Sequence, residues 1–372
     1  MDIDEEEITQ TDAWIVIDSY FADKGLVRQQ IDSFNEFIDV TIQEIVDDTG
    51  MFSIEAANQF GIGQDHGRKM RAHVAFGQVF VGKPTFHEQA ATRLRDTVDD
   101  VDAPQRQTAA ADHVDGAREA LGVYDRALVA EALRTYTGHA PLTNVLVTTK
   151  GGITRSLGEQ WGRDSSPQAL RRACEDSLRT LDVSCIDLYQ HHRHDPAMTY
   201  IDQLRALQLL KDEGLVRRIG LSNVTEAELD LAIGELGSAS DGGVVSVQNE
   251  LSPRYRADLD VLVRCEREGI AFLPWSPLGG ATHAKDVGSR FAAFADVADA
   301  IGATPQEVTL AWMLRMSPVM IPIPGATRPE TITSIVRSTT LELTDDQFAM
   351  LQATTPEHTS MYPEDQPRSP LR

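Results

Sequence analysis

NVLVTTK at 144–150, SSPQALRRACEDSLRTL at 165–181 and CIDLYQ at 185–190 read in order as a strand, a helix and a second strand. The first and third are short, apolar and not strictly alternating, as strands covered on both faces are. Between them Ser166 is placed to cap a helix whose first turn holds Pro167, and Leu170, Cys174, Leu178 and Leu181 fall on one face. The rhythm continues downstream. TYIDQLRALQLLKDEG reads as a helix ending at Gly214, RRIGLSN as a strand, TEAELDLAIGELG as a helix and VVSVQNE as a strand. ADLDVLVRCEREG is then a helix and IAFLPWSP a strand, followed by a long loop and helices near 289–301 and 304–316. VMIPIPG and RPETITSIVRS close the series as a strand and a helix. Regular alternation of this kind predicts an α/β chain of the (β/α)8, TIM-type barrel class. A doubly wound open sheet is the alternative, disfavoured because no glycine-rich turn follows the first strand. Six units do not complete eight, so the barrel is expected to be incomplete or to have altered first strands.

Upstream the text changes character. Six acidic residues and no basic one lie between Asp2 and Asp12. Phe34, Phe37, Ile38, Ile42 and Ile45 then mark a helical face, with Gly50 as a stop. GIGQDHG at 61–67 is one residue off the dinucleotide fingerprint, follows no strand, and reads as a loop. His73 to Val81 alternate as a short strand, residues 96–115 are rich in Asp and Ala like a linker, and Asp125 to Tyr136 suggest a helix. Extra barrel strands have two candidate sources, AWIVI near residue 15 and VAFGQVFV near residue 77. The expected units are a mainly helical N-terminal segment at 1–100, a linker at 101–116, a barrel at 117–360 and a tail at 361–372. With strands replaced, 145–149 and 319–323 are expected to present open edges.

Composition narrows the function. The 372 residues hold 34 Lys+Arg against 57 Asp+Glu, a net charge of −23, so no nucleic-acid partner and no anionic membrane surface is expected. No window is apolar for the ~18 residues of a membrane span. The acidic N-terminus is unlike a leader, and Cys174, Cys185 and Cys265 lack CxxC spacing, which together point to the cytoplasm. The chemistry should then lie at the carboxyl ends of the strands, which converge on one mouth of a barrel. Those ends are Lys150, then Gln190-His191-His192-Arg193, Ser222-Asn223, Gln248-Asn249, Trp275-Ser276 and Gly325-Ala326-Thr327-Arg328. A cation, imidazoles, amides, hydroxyls and an aromatic face suit a flat polar ring, with a phosphate at the last helix start. His191, His192 and His194 beside Asp195 also suggest a metal cluster, but no distant carboxylate partner is identifiable, and no metal is expected.

In order, VTTKGG, DLYQHHRHDP, RRIGLSN, SVQNE, PWSPLGG and IPIPGATRPE resemble the aldo-keto reductases, over residues 117–355. The resemblance implies a (β/α)8 barrel binding NADPH/NADP without a Rossmann motif, and hydride transfer to or from a small carbonyl or alcohol substrate. It implies catalytic roles for Lys150 and His192. Ser222, Asn223 and Gln248 would hold the nicotinamide carboxamide, and Trp275 would lie on the ring, with Ser276 and Leu278 alongside. Gly325, Thr327 and Arg328 would take the adenosine phosphate. The family's proton donor is a tyrosine in Asp-Thr-Ala-x-x-Tyr, tuned by a lysine paired with the aspartate. The nearest stretch here is TAAADHVDG, which puts Ala109 and Val114 at the Asp and Tyr positions. The family's first two strands are absent as well.

Residues 5–50, with FGQVFVGKPTFHE and ATRLRD further on, resemble instead the N-terminus of the second-largest subunit of eukaryotic RNA polymerase II. The polymerase's metal site is not part of that region. The chain thus reads as a fusion of two unrelated fragments joined near 100–117. Three functions follow: an NADP-dependent oxidoreductase, an NADPH-binding relic of weak catalysis, and a polymerase-derived interaction segment carrying a decayed barrel.

Overall fold

A computed structural model describes residues 15–18, 129–130, 133–134, 145–155, 161–280, 283–326, 329–358 and 360–362. The expected helix at 34–45, the strand at 73–81 and the linker lie outside these residues. Residues 129–130 and 133–134 are helical, inside the stretch expected to be a helix.

One parallel sheet organises the fold. Its strands are β1 (Ile15–Asp18), β2 (Val145–Gly151), β5 (Leu188–His191), β6 (Ile219–Ser222), β7 (Val244–Gln248) and β8 (Ala271–Phe272), hydrogen-bonded in that order. Parallel bridges from Phe272 to Met320 and from Trp275 to Ile323 add the 319–323 segment as a seventh position. A hairpin of β3 (Ile153–Arg155) and β4 (Trp161–Arg163), not foreseen from sequence, leaves the end of β2.

The helices begin where their caps stand. In α1 (Pro167–Leu181), Ser166 Oγ accepts the Ala169 N–H. α2 is Tyr200–Asp212, capped by Thr199 and ending two residues before Gly214. In α3 (Glu226–Leu236), Thr225 and Glu228 cap each other's backbone. α4 (Leu259–Glu268), α5 (Val287–Arg290) and α6 (Ala292–Ile301) follow. α7 (Pro305–Met316) repeats the reciprocal cap through Thr304 and Glu307, and α8 is Pro329–Thr340. α9 (Asp345–Gln352), capped by Thr344, was not foreseen. Each such cap satisfies backbone N–H groups that would otherwise lack partners.

The two faces of the sheet distinguish the architectures. One face packs against the helices through two apolar clusters, which include Leu170, Cys174 and Leu207 on one side and Phe294, Val308 and Trp312 on the other. The other face carries Leu146, Leu188, Val245, Ala271, Leu273, Trp275 and Ile323, and among the described residues no helical one joins them. A doubly wound sheet needs helices on both faces. A face packed by strand-segment side chains and Met361, with no described helix over it, is that of a sheet curled on itself. Gly220 serves this inner packing, since a Cβ there would sit 2.2 Å from Ser246 Oγ and 2.9 Å from Gln190 Cγ.

One of the two expected open edges, that at β2, is corrected. β2 is not exposed on its outer side, because Ile15–Asp18 runs parallel to it in register with residues 145–148. Of the two candidate stretches, the one near residue 15 supplies the strand. In the 319–323 segment every donor is committed. Val319 N–H goes to Ser317 Oγ, Met320 to Ser317 O, Ile321 to Phe272 O and Ile323 to Pro274 O. Pro322 and Pro324 have no N–H to offer, so the far side gives an incoming strand little to pair with. Cys174, Cys185 and Cys265 are free thiols. Among the described residues no helix is long and apolar enough to cross a membrane.

Candidate active site

Strand alternation sets the side on which each mouth residue falls. On β2, Leu146 lies in the inner cluster, so Thr148 and Lys150 share its side. On β5, Leu188 is inward, Tyr189 is outward with its hydroxyl donating to Leu170 O, and Gln190 is inward on Ser246 Oγ at 3.3 Å. Lys150 pairs in register with Gln190, and His192 N–H donates to Gly151 O at 2.9 Å. Lys150 and His192 therefore stand side by side on neighbouring strand ends. The His192 ring is buried and is held well below the usual imidazole range, first by burial, then by the charges of Lys150, Arg193 and His191. It is neutral at pH 7, with one N–H to donate. Beneath the pair, Thr148 Oγ1 and Gln190 Oε1 are buried without hydrogen-bond partners among the described residues.

Asn223 joins the next three strand ends. It follows β6 with φ +58, a left-handed conformation that few non-glycine residues adopt. Its Nδ2 donates to His192 O at 3.1 Å and to Ser222 Oγ at 3.0 Å, and its Oδ1 accepts Trp275 Nε1–H at 3.0 Å. Its backbone N–H reaches Gln248 O at 3.0 Å, as does the Ser222 hydroxyl at 2.8 Å. His192, Ser222, Asn223, Gln248 and Trp275 are thus one connected group. Asn249 adds a second link, with Oδ1 on Val224 N–H and Nδ2 on Val224 O. Ser276, at φ +50, opens a tight turn closed by Gly279 N–H on Ser276 O, and Leu278 lies within that turn. Gly325 is exposed with open space at its Cα, while Thr327 and Arg328 lie outside the described residues.

The histidines do not act together. His191 turns outward, with Nε2 2.9 Å from Ser165 Oγ, and burial holds it at about 4. His194 Nδ1 is 2.9 Å from Glu228 Oε1, and Asp195 accepts the Ser165 N–H. Among the described residues no group of three or more His, Cys, Asp or Glu is arranged to hold a metal. Sequence reasoning missed Glu250, Arg193 as a ring partner and, above all, Tyr362, whose ring lies 5.5 Å from that of Trp275. Glu250 stands inside SVQNE without a visible task, and nothing local connects Tyr362 to position 275.

A curled parallel sheet with helices on its outer side and a connected polar group at the strand ends defines an enzyme-type α/β barrel architecture. The chain belongs to the aldo/keto reductase family, whose profile matches residues 122–355. An uncharacterized oxidoreductase of Schizosaccharomyces pombe is 36% identical over 224 residues, 60% of this chain and 68% of that protein. An aldo-keto reductase from Klebsiella pneumoniae, solved in complex with NADPH, superposes with a TM-score of 0.52 at 21% identity, over 74% of this chain and 87% of that one. That likeness shows the fold. Residues 25–108 match a second profile, that of the RNA polymerase beta subunit. Subunit 2 of Arabidopsis thaliana RNA polymerase II is 49% identical over 88 residues, 23% of this chain and 7% of that subunit.

Proposed function

We propose that the chain is an NADP-dependent oxidoreductase that moves hydride between NADPH and an aldehyde or ketone, and that it does so slowly. The observation that carries the reading is the connected group around Asn223, which sets a hydroxyl, a carboxamide and an indole side by side at the mouth. That donor set fits a flat ring bearing a carboxamide. Ser222 Oγ and Asn223 Oδ1 each keep a lone pair beyond the bonds they already accept, which suits an incoming amide NH₂. Gln248 completes the set, and Trp275 offers the apolar face. Ser276, Leu278, Gly325, Thr327 and Arg328 would take the rest of the dinucleotide, with Arg328 and the start of α8 on the adenosine phosphate.

NADPH, when bound, supplies hydride to the carbonyl carbon. The chain's own part is to orient and polarise the carbonyl oxygen. His192 is neutral and donates one N–H toward it, while Lys150 places positive charge beside the developing alkoxide. Ala109 and Val114, standing where the family has Asp and Tyr, can neither tune nor donate a proton. General acid catalysis typically contributes ~10²–10⁴-fold, and that is the expected deficit. The same two residues favour a second reading, an NADPH-binding protein of negligible turnover. We assign the oxidoreductase unit to 117–360, the polymerase-like segment to 1–100, the linker to 101–116 and a tail to 361–372.

Titration with NADPH and NADH, followed by fluorescence, tests the reading alongside turnover with a panel of aldehydes. Saturable binding that prefers NADPH, reduced by Arg328→Ala, together with slow turnover, is expected. Equal affinity for the two cofactors would remove the Arg328 role, and no binding of either would refute the reading.

A further inference from the structure

The chain beyond α9 returns to the mouth and is fastened at two points. Glu357 receives Arg290 Nη2–H at 2.6 and 2.7 Å and Arg254 Nε–H at 3.1 Å, and its backbone N–H reaches Arg254 O. Glu250, 2% exposed, accepts Ser360 Oγ–H at 2.7 Å and the Met361 N–H at 3.0 Å. Met361 packs against the inner apolar cluster and against Gly280, where a Cβ would lie 2.6 Å from its Cε. These fastenings deliver Tyr362 onto Trp275, with ring centroids 5.5 Å apart and planes at 51°. On its other flank the Arg193 guanidinium lies 5.3 Å from the tyrosine centroid. Trp275 is left only 8% exposed, while Tyr362 is 38% exposed.

A planar ligand needs an open aromatic face, and an indole so covered has none to give. We propose that residues 360–362 form a built-in gate, with the Tyr362 ring competing with the nicotinamide for Trp275. The proposal rests on the reading of Trp275 as the cofactor's ring platform. Opening requires the ring to leave Trp275 and Arg193, while the buried Glu250 anchor remains as the hinge. Tyr362 is already 38% exposed, and that motion parts its ring from the Trp275 indole and from the Arg193 guanidinium. The closed form lowers apparent affinity by the fraction of molecules that are open. An aromatic pair of this kind corresponds to roughly a tenfold bias.

Three proteins test it: wild type, Tyr362→Ala and Tyr362→Phe. Acrylamide quenching of tryptophan fluorescence without cofactor, corrected with Trp275→Phe, reports whether Trp275 is uncovered. Fluorescence titration reports the NADPH Kd. Tyr362→Ala should make Trp275 more quenchable and tighten NADPH roughly tenfold, whereas Tyr362→Phe, which keeps the ring, should match wild type in both. Unchanged quenching, or NADPH affinity in Tyr362→Ala equal to or weaker than wild type, overturns the gate and leaves the platform reading standing. Greater quenching with no NADPH binding by any of the three overturns the platform reading, and the gate with it. A Ser360→Ala variant, which loosens the anchor and keeps the ring, should move both readouts in the direction of Tyr362→Ala.

Discussion

His191 should make the protein acid-sensitive in a way that one substitution removes. Its ring is fully buried, its Nε2 is bonded to Ser165 Oγ, its Nδ1 has no partner among the described residues, and Tyr200 lies 6.0 Å away. Burial is the main reason its pKa is lowered to about 4; His194 pushes the same way, and Glu228 and Asp195 oppose. An unfolded histidine titrates near ~6.5. As pH falls through that value the unfolded chain takes a proton that the folded chain refuses. Stability is therefore complete above pH 6.5, falls as pH drops between 6.5 and about 4, and levels off below. The slope is about 1.4 kcal/mol per pH unit, and the change from pH 7.5 to 5 is about 2 kcal/mol for this residue. Urea unfolding of wild type and His191→Gln at pH 5, 6, 7 and 7.5 measures it, with carboxylates common to both proteins cancelling in the difference. Wild type should lose about 2 kcal/mol more than the variant over that range. Parallel stability curves would show that the His191 imidazole is not held neutral, and the burial argument would fail. His192, also depressed, adds acid sensitivity of the same sign that persists in the variant.

Asn223→Ala should cost about 2–4 kcal/mol, from lost part-buried hydrogen bonds and from alanine's poorer tolerance than asparagine of φ +58. Asn223→Gly should cost less, since glycine accepts that backbone; equal losses in urea unfolding would leave backbone strain without a part. Introducing Ala109→Asp and Val114→Tyr together should raise aldehyde reduction, by up to the ~10²–10⁴ of a general acid, and add an ionisation to the pH–kcat profile. An unchanged kcat and profile would show that 109 and 114 do not reach the mouth.

Helix starts were legible because capping is local. Ser166 with Pro167 announces α1 within four residues of sequence, and the real helix begins there. The strand series was legible because fully covered parallel strands are apolar runs, but the lengths of the last two were not. Pro274, which has no N–H, interrupts the ladder after β8 so that it continues only as bridges at Trp275, and Pro322 and Pro324 reduce 319–323 to bridges at Met320 and Ile323. Pairing across long sequence separations left no local trace. Ile15–Asp18 beside β2 was one of two equal candidates, and nothing near residue 15 names residue 145 as its partner. Tyr362 on Trp275 and Ser360 on Glu250 were invisible for the same reason.

The site residues divide along that line. Lys150, His192, Ser222, Asn223, Gln248 and Trp275 were legible as strand ends, because alternation alone puts one residue of each strand at the mouth. What they do to one another was not legible: the Asn223 amide binds three of its neighbours, and only the folded strand order reveals it. Each strand end is fixed by the next one along, His192 N–H by Gly151 O, Ser222 by Gln248 and Trp275 by Asn223. On the proposed reading, weakened turnover with retained cofactor recognition is the expected outcome, because the bonds among Ser222, Asn223, Gln248 and Trp275 run between strand ends downstream of β2, whereas positions 109 and 114 lie upstream of it in sequence.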